Sequence, residues 1–158
     1  MSSMLGKSVL ITGGGSGIGR GVARHFAMQG AKVTISARRE KKLAATSNEM
    51  NGEIAYVVGD VTREDDRKSM IQNSVKYGGR LDALISNAGN MYRSDVSDLD
   101  EDELLSIFHS NVIAGMMLVK EAYDHLKRSQ GCIIFVGSVH TQRAVSYTHL
   151  TLPTTQVV

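Results

Sequence analysis

The chain has 158 residues, of which 42% are hydrophobic and 22% are charged, and its formal net charge is +2. This length suits one domain with a real core and excludes two full domains, while the small net charge, with both signs interleaved, excludes a nucleic-acid-binding or membrane-surface patch. No apolar run approaches the roughly 18 residues of a membrane span. The single cysteine, Cys132, excludes an internal disulfide framework and fits a reducing compartment. We therefore expect a soluble cytoplasmic protein with no nucleic-acid or membrane partner.

Five short β-rich runs are predicted to be strands. Most are nearly continuous apolar runs, the pattern of strands that are covered on both faces. They lie at 8–12, 31–37, 53–59, 81–86 and 132–137.

The first two intervals between these strands are predicted to be helical. Ile18, Val22 and Phe26 recur at helical steps after a glycine-rich stretch, and Gly30 ends that pattern. A second helix is predicted over 39–50.

The next two intervals also carry helical patterns. Thr62 is a plausible N-cap for the third helix, with Asp65 three residues on, and this helix is expected to end before Gly78. The fourth is predicted to be one long helix from the acidic residues at 98–103 to Lys127 and Arg128, with apolar residues at helical steps: Leu104, Phe108, Val112, Val119, Tyr123 and Leu126. The alternation of strands and helices predicts an α/β fold, a doubly wound parallel sheet with right-handed crossovers.

The segment ITGGGSGIGRG at 11–21 joins the first strand to the first helix. A glycine-rich turn at this point of a parallel sheet is where a dinucleotide pyrophosphate binds, because bare amides and the helix dipole face the anion. The G-x-G-x-x-G fingerprint is absent; Thr12-Gly13-x-x-x-Gly17-x-Gly19 is present instead. A second register at Gly15, Gly19 and Gly21 is possible from spacing alone, and so is a turn that only lets strand and helix approach each other.

The pattern T-G-x-x-x-G-x-G resembles that of the short-chain dehydrogenase/reductase family, NAD(P)-dependent oxidoreductases on a Rossmann-like sheet. GDVT at 59–62, NAG at 87–89 and the asparagine of SN at 110–111 match further family motifs in order, and the similarity runs from about residue 5 to about residue 144. The resemblance implies a homo-oligomeric enzyme, a dimer or tetramer, with no metal and with a small carbonyl or alcohol substrate, of a type similar to the 3-oxoacyl-carrier-protein reductases. It also implies that these residues bind the cofactor: Thr12, Gly13, Ser16, Gly17, Ile18, Gly19, Asp60, Val61, Asn87, Ala88 and Gly89.

The end of the second strand bears on which cofactor is used. An acid at this point usually binds the ribose 2′-hydroxyl of NAD, whereas a base accommodates the 2′-phosphate of NADP. The sequence has Ala37 in the expected acid position, followed by Arg38 and Arg39. We therefore predict NADP(H), although these bases and the following lysines would also suit a solvated helix start.

The resemblance implies that hydride transfer needs a serine, an asparagine and a Tyr-x-x-x-Lys pair. Ser138, after the fifth strand, and Asn111 match the first two. Tyr147 follows too closely after the serine, position 151 is threonine, and no lysine occurs after Lys127, so the pair is missing. His140 and His149 are weak substitutes.

The last 14 residues, VSYTHLTLPTTQVV, differ from the rest of the chain. All 18 Lys and Arg residues and all 16 Asp and Glu residues precede this stretch, which resembles a translated adaptor sequence from a sequencing library. We expect residues 1–144 to form an incomplete NAD(P)-binding Rossmann-like domain, truncated after the fifth strand, and 145–158 to be a non-native tail. The fifth strand would then be an apolar edge strand, and the chain would be aggregation-prone and inactive. A non-catalytic NAD(P)-binding sensor and another Rossmann-like enzyme, such as a methyltransferase, are the alternatives.

Overall fold

A computed structural model describes residues 3–50 and 52–138, which form a five-stranded parallel sheet flanked by helices. The strands are β1 (Ser8–Thr12), β2 (Lys32–Ala37), β3 (Ile54–Val58), β4 (Ala83–Ser86) and β5 (Cys132–Phe135). The helices are α1 (Gly17–Met28), α2 (Glu40–Asn48), α3 (Glu64–Gly78), α4 (Glu101–Phe108) and α5 (Ala114–Ser129), with a 3₁₀ turn at Val96–Asp98 and a π-helical turn at His109–Ile113. The predicted α/β doubly wound class is confirmed.

The strand order β3-β2-β1-β4-β5 places the first strand at the centre. From β1 the chain builds outward through β2 and β3, then returns to the other side of β1 to form β4 and β5. The direction of winding therefore reverses between β1 and β4. In open α/β sheets, ligands bind in the crevice beyond the carboxyl ends of the strands at this reversal.

Two apolar cores lie on opposite faces of the sheet. Val9 and Ile11 of β1 face the core that α1 and α2 cover with Ala23 and Leu43. Leu10, on the opposite face of β1, belongs to the core that α3 and α5 complete with Met70, Leu118 and others. The apolar run of β1 thus reflects burial on both faces, as predicted.

Asp82 is a buried carboxylate at the amino end of β4, and it links β4 to the amino end of β1. Its carboxylate accepts hydrogen bonds from the Ser8 backbone N–H at 3.0 Å and Lys7 Nζ at 3.2 Å, and it pairs with Arg80 Nη2 at 2.8 Å. Burial raises the pKa of Asp82, but these hydrogen bonds and the charge of Arg80 outweigh burial and hold the pKa below its usual value.

Three helix predictions need correction. Thr62 is not the N-cap of α3: Arg63 occupies that position, and the Thr62 N–H and hydroxyl both bond to Asp60 instead. Ile18 does not join the apolar face of α1 and is 64% exposed, because it lies in the first turn at the rim of the sheet. The long fourth helix is interrupted by the π turn, which shifts the faces of α4 and α5 relative to one another.

Apolar side chains are exposed at the β5 edge of the sheet and on the neighbouring helices. Ile134 and Phe135 of the edge strand β5 are exposed, as are Phe108 and Tyr123 from the predicted apolar set of the fourth helix. The prediction of an apolar edge strand is confirmed for the residues that the structure describes, and the prediction that the fourth helix has lost cover stays a prediction. Within the same ranges, no helix combines the length and the hydropathy needed to cross a bilayer.

Candidate functional site

The glycine-rich turn connects the buried end of β1 to α1. Gly13 and Gly17 have φ values of +70° and +53°, in the left-handed region that favours glycine. Gly19 has an ordinary φ, but a Cβ there would lie 2.5 Å from the Gly13 carbonyl oxygen and 2.6 Å from Asn87 Nδ2. A side chain is therefore disfavoured at each glycine of the first register, either by a left-handed backbone conformation or by the close approach of other atoms.

The second register has less physical support. A Cβ on Gly21 would meet no atom within 4 Å, and Gly21 has no positive φ. A Cβ on Gly15 would lie 3.1 Å from the Lys42 Cβ, and Gly15 also has no positive φ. The geometry thus favours Gly13, Gly17 and Gly19, the choice that spacing alone left open.

Thr12 and Asn87 join the two strands at the point where the sheet winding reverses. The Thr12 hydroxyl accepts hydrogen bonds from the backbone N–H groups of Asn87 and Ala88, each at 3.0 Å. The Asn87 Nδ2 group donates a hydrogen bond to the Thr12 carbonyl at 2.9 Å and a longer one to the Gly13 carbonyl at 3.4 Å. These bonds hold the glycine turn against the NAG segment and make Thr12 a buried support of the site.

A cleft of about 200 Å³ opens above this junction, at the carboxyl edge of the sheet. Its walls bring together nine of the predicted residues: Gly13, Ser16, Arg38, Arg39, Asp60, Val61, Asn87, Ala88 and Gly89. Gly17, Ile18 and Gly19, in the first turn of α1, do not line it within the described part of the chain.

Asp60 forms one end of the cleft, after β3. Its Oδ1 accepts bonds from the Thr62 N–H at 3.0 Å and the Thr62 hydroxyl at 2.8 Å, while its own N–H donates to Asp66 Oδ2 at 2.8 Å. Partial burial raises the pKa of Asp60, but the Thr62 bonds and the charges of Arg38 and Arg63 outweigh it, so the pKa lies below its usual value. The side chain is a fixed carboxylate at neutral pH.

Three basic side chains surround the end of β2. Arg38, Arg39 and Lys42 all line the cleft, next to Ala37. The Arg38 guanidinium donates to Asn90 Oδ1 at 3.2 Å and lies 3.9 Å from Asp60 Oδ2. Asp60 is the one acidic residue among the lining residues of this cleft, so cations outnumber carboxylates there.

The two predicted catalytic residues lie beyond this cleft. Asn111, in the π turn, donates from Nδ2 to the Asn90 carbonyl at 2.9 Å and accepts at Oδ1 from the Asn90 N–H at 2.8 Å and the Ser110 hydroxyl at 3.1 Å. Ser138 follows β5 at the same carboxyl edge and is exposed. The other polar candidates, His140, Tyr147 and His149, and the predicted tail at 145–158 fall outside the described residues.

Sequence reasoning missed four side chains in the cleft wall: Ser36, Lys42, Asn90 and Ser110. The basic run after β2 already contained Lys42, which helical spacing places one turn beyond Arg38. Nothing in the local sequence distinguishes Asn90 from an ordinary loop residue, because its role depends on contacts with β2 and the π turn.

The residues present fit a dinucleotide. A Cβ on Gly17 would meet no atom within 4 Å, so the backbone there is open to a ligand, and Ser16 makes no side-chain cap to the first turn of α1, which carries no acidic residue. Amides at the positive end of a 12-residue helix suit a diphosphate, and the basic rim suits a further phosphate. The described residues contain no group of three or more His, Cys, Asp or Glu side chains arranged to bind a metal ion.

Comparison with known proteins gives matches along most of the chain. The sequence model described as short chain dehydrogenase matches residues 7–149. The chain is 34% identical over 150 residues to L-fucose dehydrogenase of Bos taurus, covering 90% of this chain and 54% of that protein. It is 35% identical over 141 residues to glucose 1-dehydrogenase of Gluconobacter oxydans (strain 621H), covering 85% and 53%.

Solved structures agree with this similarity. A short chain dehydrogenase from Mycobacterium smegmatis superposes with a TM-score of 0.83 at 30% identity, covering 91% of this chain and 62% of that one. The chain spans about half the length of the curated relatives that it matches.

Proposed function

The chain belongs to the short-chain dehydrogenase/reductase family, and from that premise we propose that its cleft binds NADP(H) in an oxidoreductase that interconverts a carbonyl and an alcohol. When bound, the nicotinamide cofactor supplies or accepts the hydride. The observation that carries the proposal is the cluster of Arg38, Arg39 and Lys42 around Ala37, beside a glycine turn shaped for a diphosphate.

The preference for the 2′-phosphate follows from charge. Arginine binds phosphate through two parallel N–H bonds, and a carboxylate after β2 would repel the phosphate instead. Ala37 carries no charge, and Arg38 and Arg39 follow it. Asp60, whose carboxylate lies 3.9 Å from the Arg38 guanidinium, would then contact the adenine.

Asn111 and Ser138 are the residues of this chain proposed to act on the substrate side. Asn111 holds the segment after NAG through both main-chain atoms of Asn90, and would thereby fix the floor of the nicotinamide region. Ser138 would hold the substrate oxygen. A tyrosine has a pKa near 10 and needs a nearby cation to transfer a proton at neutral pH. Tyr123 and Lys127 have this spacing, but they precede Ser138 and lie in α5. Since no Tyr-x-x-x-Lys follows Ser138, we propose that the 158-residue chain itself binds cofactor without turnover.

The substrate is proposed only as a class. The relatives named above carry the names of sugar dehydrogenases, which suits a sugar substrate as well as the 3-oxoacyl-type substrate that the sequence resemblance implies. A cytoplasmic location and a homo-oligomeric state remain predictions.

Titration of the chain with NADPH and NADH tests the proposal. We expect tighter NADPH binding, and Arg38→Ala should weaken NADPH binding about 10- to 100-fold, the equivalent of about 1.5–3 kcal/mol for a charge-assisted contact, while barely changing NADH binding. Arg128→Ala is the matched control, because Arg128 lies in the last turn of α5, at the amino edge of the sheet. Tighter NADH binding would overturn the NADP(H) assignment, and consumption of NADPH with a carbonyl substrate would overturn the absence of turnover.

A further inference from the structure

The Arg38 side chain has partners on both sides of the cleft. Arg38 follows β2; on one side lies Asp60, after the edge strand β3, and on the other lies Asn90, beyond β4. The guanidinium donates from Nη2 to Asn90 Oδ1 at 3.2 Å, and its Nη1 lies 3.9 Å from Asp60 Oδ2. The bond to Asn90 is the shorter of the two contacts.

The two partners affect Arg38 differently. Asp60 is ionised at neutral pH, so it attracts the guanidinium but also offsets part of its positive charge. Asn90 is neutral, so its amide oxygen orients the guanidinium and leaves the charge available for an anion. An arginine that is 63% exposed would otherwise sample many rotamers, and holding it in one of them reduces the entropy lost when a ligand binds.

The backbone of Asn90 is held in place independently of Arg38. Both backbone polar groups of Asn90 bond to the Asn111 side chain, at 2.8 Å through the N–H and at 2.9 Å through the carbonyl. These bonds use only main-chain atoms of Asn90. Replacing its side chain therefore removes the contact with Arg38 and leaves the contact with Asn111.

We propose that Asn90 is a positioning residue that presents Arg38 to the ribose 2′-phosphate and so contributes to the choice of NADP(H) over NAD(H). The inference rests on the proposed function, since it assigns Asn90 a role in the same cleft. It makes selectivity depend on a residue 52 positions from Arg38 in the chain.

The test compares two ligands that differ only in the 2′-phosphate, adenosine 2′,5′-bisphosphate and adenosine 5′-monophosphate. Their affinities are measured by calorimetry for the wild-type chain and for Asn90→Ala and Asn90→Asp. Asn90→Ala should weaken the bisphosphate about three- to tenfold, as expected for losing one exposed hydrogen bond to a charged group. Asn90→Asp should weaken it by about tenfold or more, because a second carboxylate competes for Arg38 and repels the phosphate. Monophosphate affinity is the reference for each variant, and the loss of bisphosphate affinity should exceed any loss of monophosphate affinity.

A double-mutant comparison separates positioning from a direct contact. In an Arg38→Ala background, Asn90→Ala should have no further effect on bisphosphate binding. A wild-type chain with no preference for the bisphosphate would refute the proposed function and this inference together. A wild-type preference that survives in both Asn90 variants, or an Asn90→Ala effect that persists without Arg38, would refute the inference alone.

Discussion

Two glycines in the same helix should respond in opposite directions to the same substitution. Both Gly19 and Gly21 lie inside α1. A Cβ on Gly19 would lie 2.5 Å from the Gly13 carbonyl oxygen, whereas one on Gly21 would meet nothing within 4 Å. A contact below 3 Å with backbone cannot be relieved by rotating a side chain.

The magnitudes follow from these contacts. Overpacking of this kind costs about 1–3 kcal/mol, and displacing Asn87 Nδ2 from its bond to the Thr12 carbonyl costs about 1 kcal/mol more. Alanine is favoured over glycine inside a helix by about 0.5–1 kcal/mol. We therefore expect Gly19→Ala to destabilise the chain by about 1–3 kcal/mol and Gly21→Ala to stabilise it by about 0.5–1 kcal/mol.

Urea unfolding followed by circular dichroism measures both changes, and titration with NADPH shows whether the turn keeps its shape. Gly19→Ala should also weaken NADPH binding, while Gly21→Ala should leave it unchanged. Because Gly19 belongs to both registers, Gly21→Ala decides between them: a Gly21→Ala chain that is destabilised and binds NADPH more weakly would refute the assignment of Gly13, Gly17 and Gly19 as the functional register. A stabilising Gly19→Ala would refute the close contact argued for Gly19.

Three further substitutions test other parts of the molecule. Ala37→Glu should lower the preference for NADPH over NADH by roughly tenfold or more, because a carboxylate beside the basic rim repels the 2′-phosphate; an unchanged ratio in competition titrations would contradict this. Asp82→Asn should destabilise the fold by about 1–2 kcal/mol at neutral pH. Because the pKa of Asp82 is lowered in the folded chain, its contribution is present above the ordinary value of 3.8 and is lost as pH falls through the folded-state value. The difference in urea midpoint between wild type and variant should therefore shrink in acid, and a constant difference would contradict the ionic role. Ile133→Lys, on the exposed edge strand β5, should reduce aggregation measured by light scattering, since a charged residue on an edge strand opposes strand addition.

The strands could be predicted from the sequence because burial on both faces leaves an unmistakable apolar run. β1 matches its predicted bounds, and the other four differ by at most two residues at either end. The glycine turn was equally accessible, since strand, glycines and helix follow one another directly in the chain. In both cases the determining interactions are local.

The parts that escaped prediction depend on tertiary contacts. The π turn interrupts the helix at Asn111, whose side chain bonds to the loop after β4. Helical periodicity in the sequence does not indicate such a contact. Thr62 has the sequence pattern of an N-cap, but Asp60 captures both of its donors. Asn90 enters the site only because the sheet order brings the end of β2 near the loop after β4.

The central claim is that the turn from Gly13 to Gly19 binds a dinucleotide diphosphate through its bare amides. Backbone amide chemical shifts, recorded by NMR during titration with NADP⁺, test it residue by residue. We predict that the largest shifts fall on Gly13 and on Ser16 to Gly19, with smaller ones at Arg38 and Asp60. Saturable binding that leaves the amides of this turn unshifted would contradict the account.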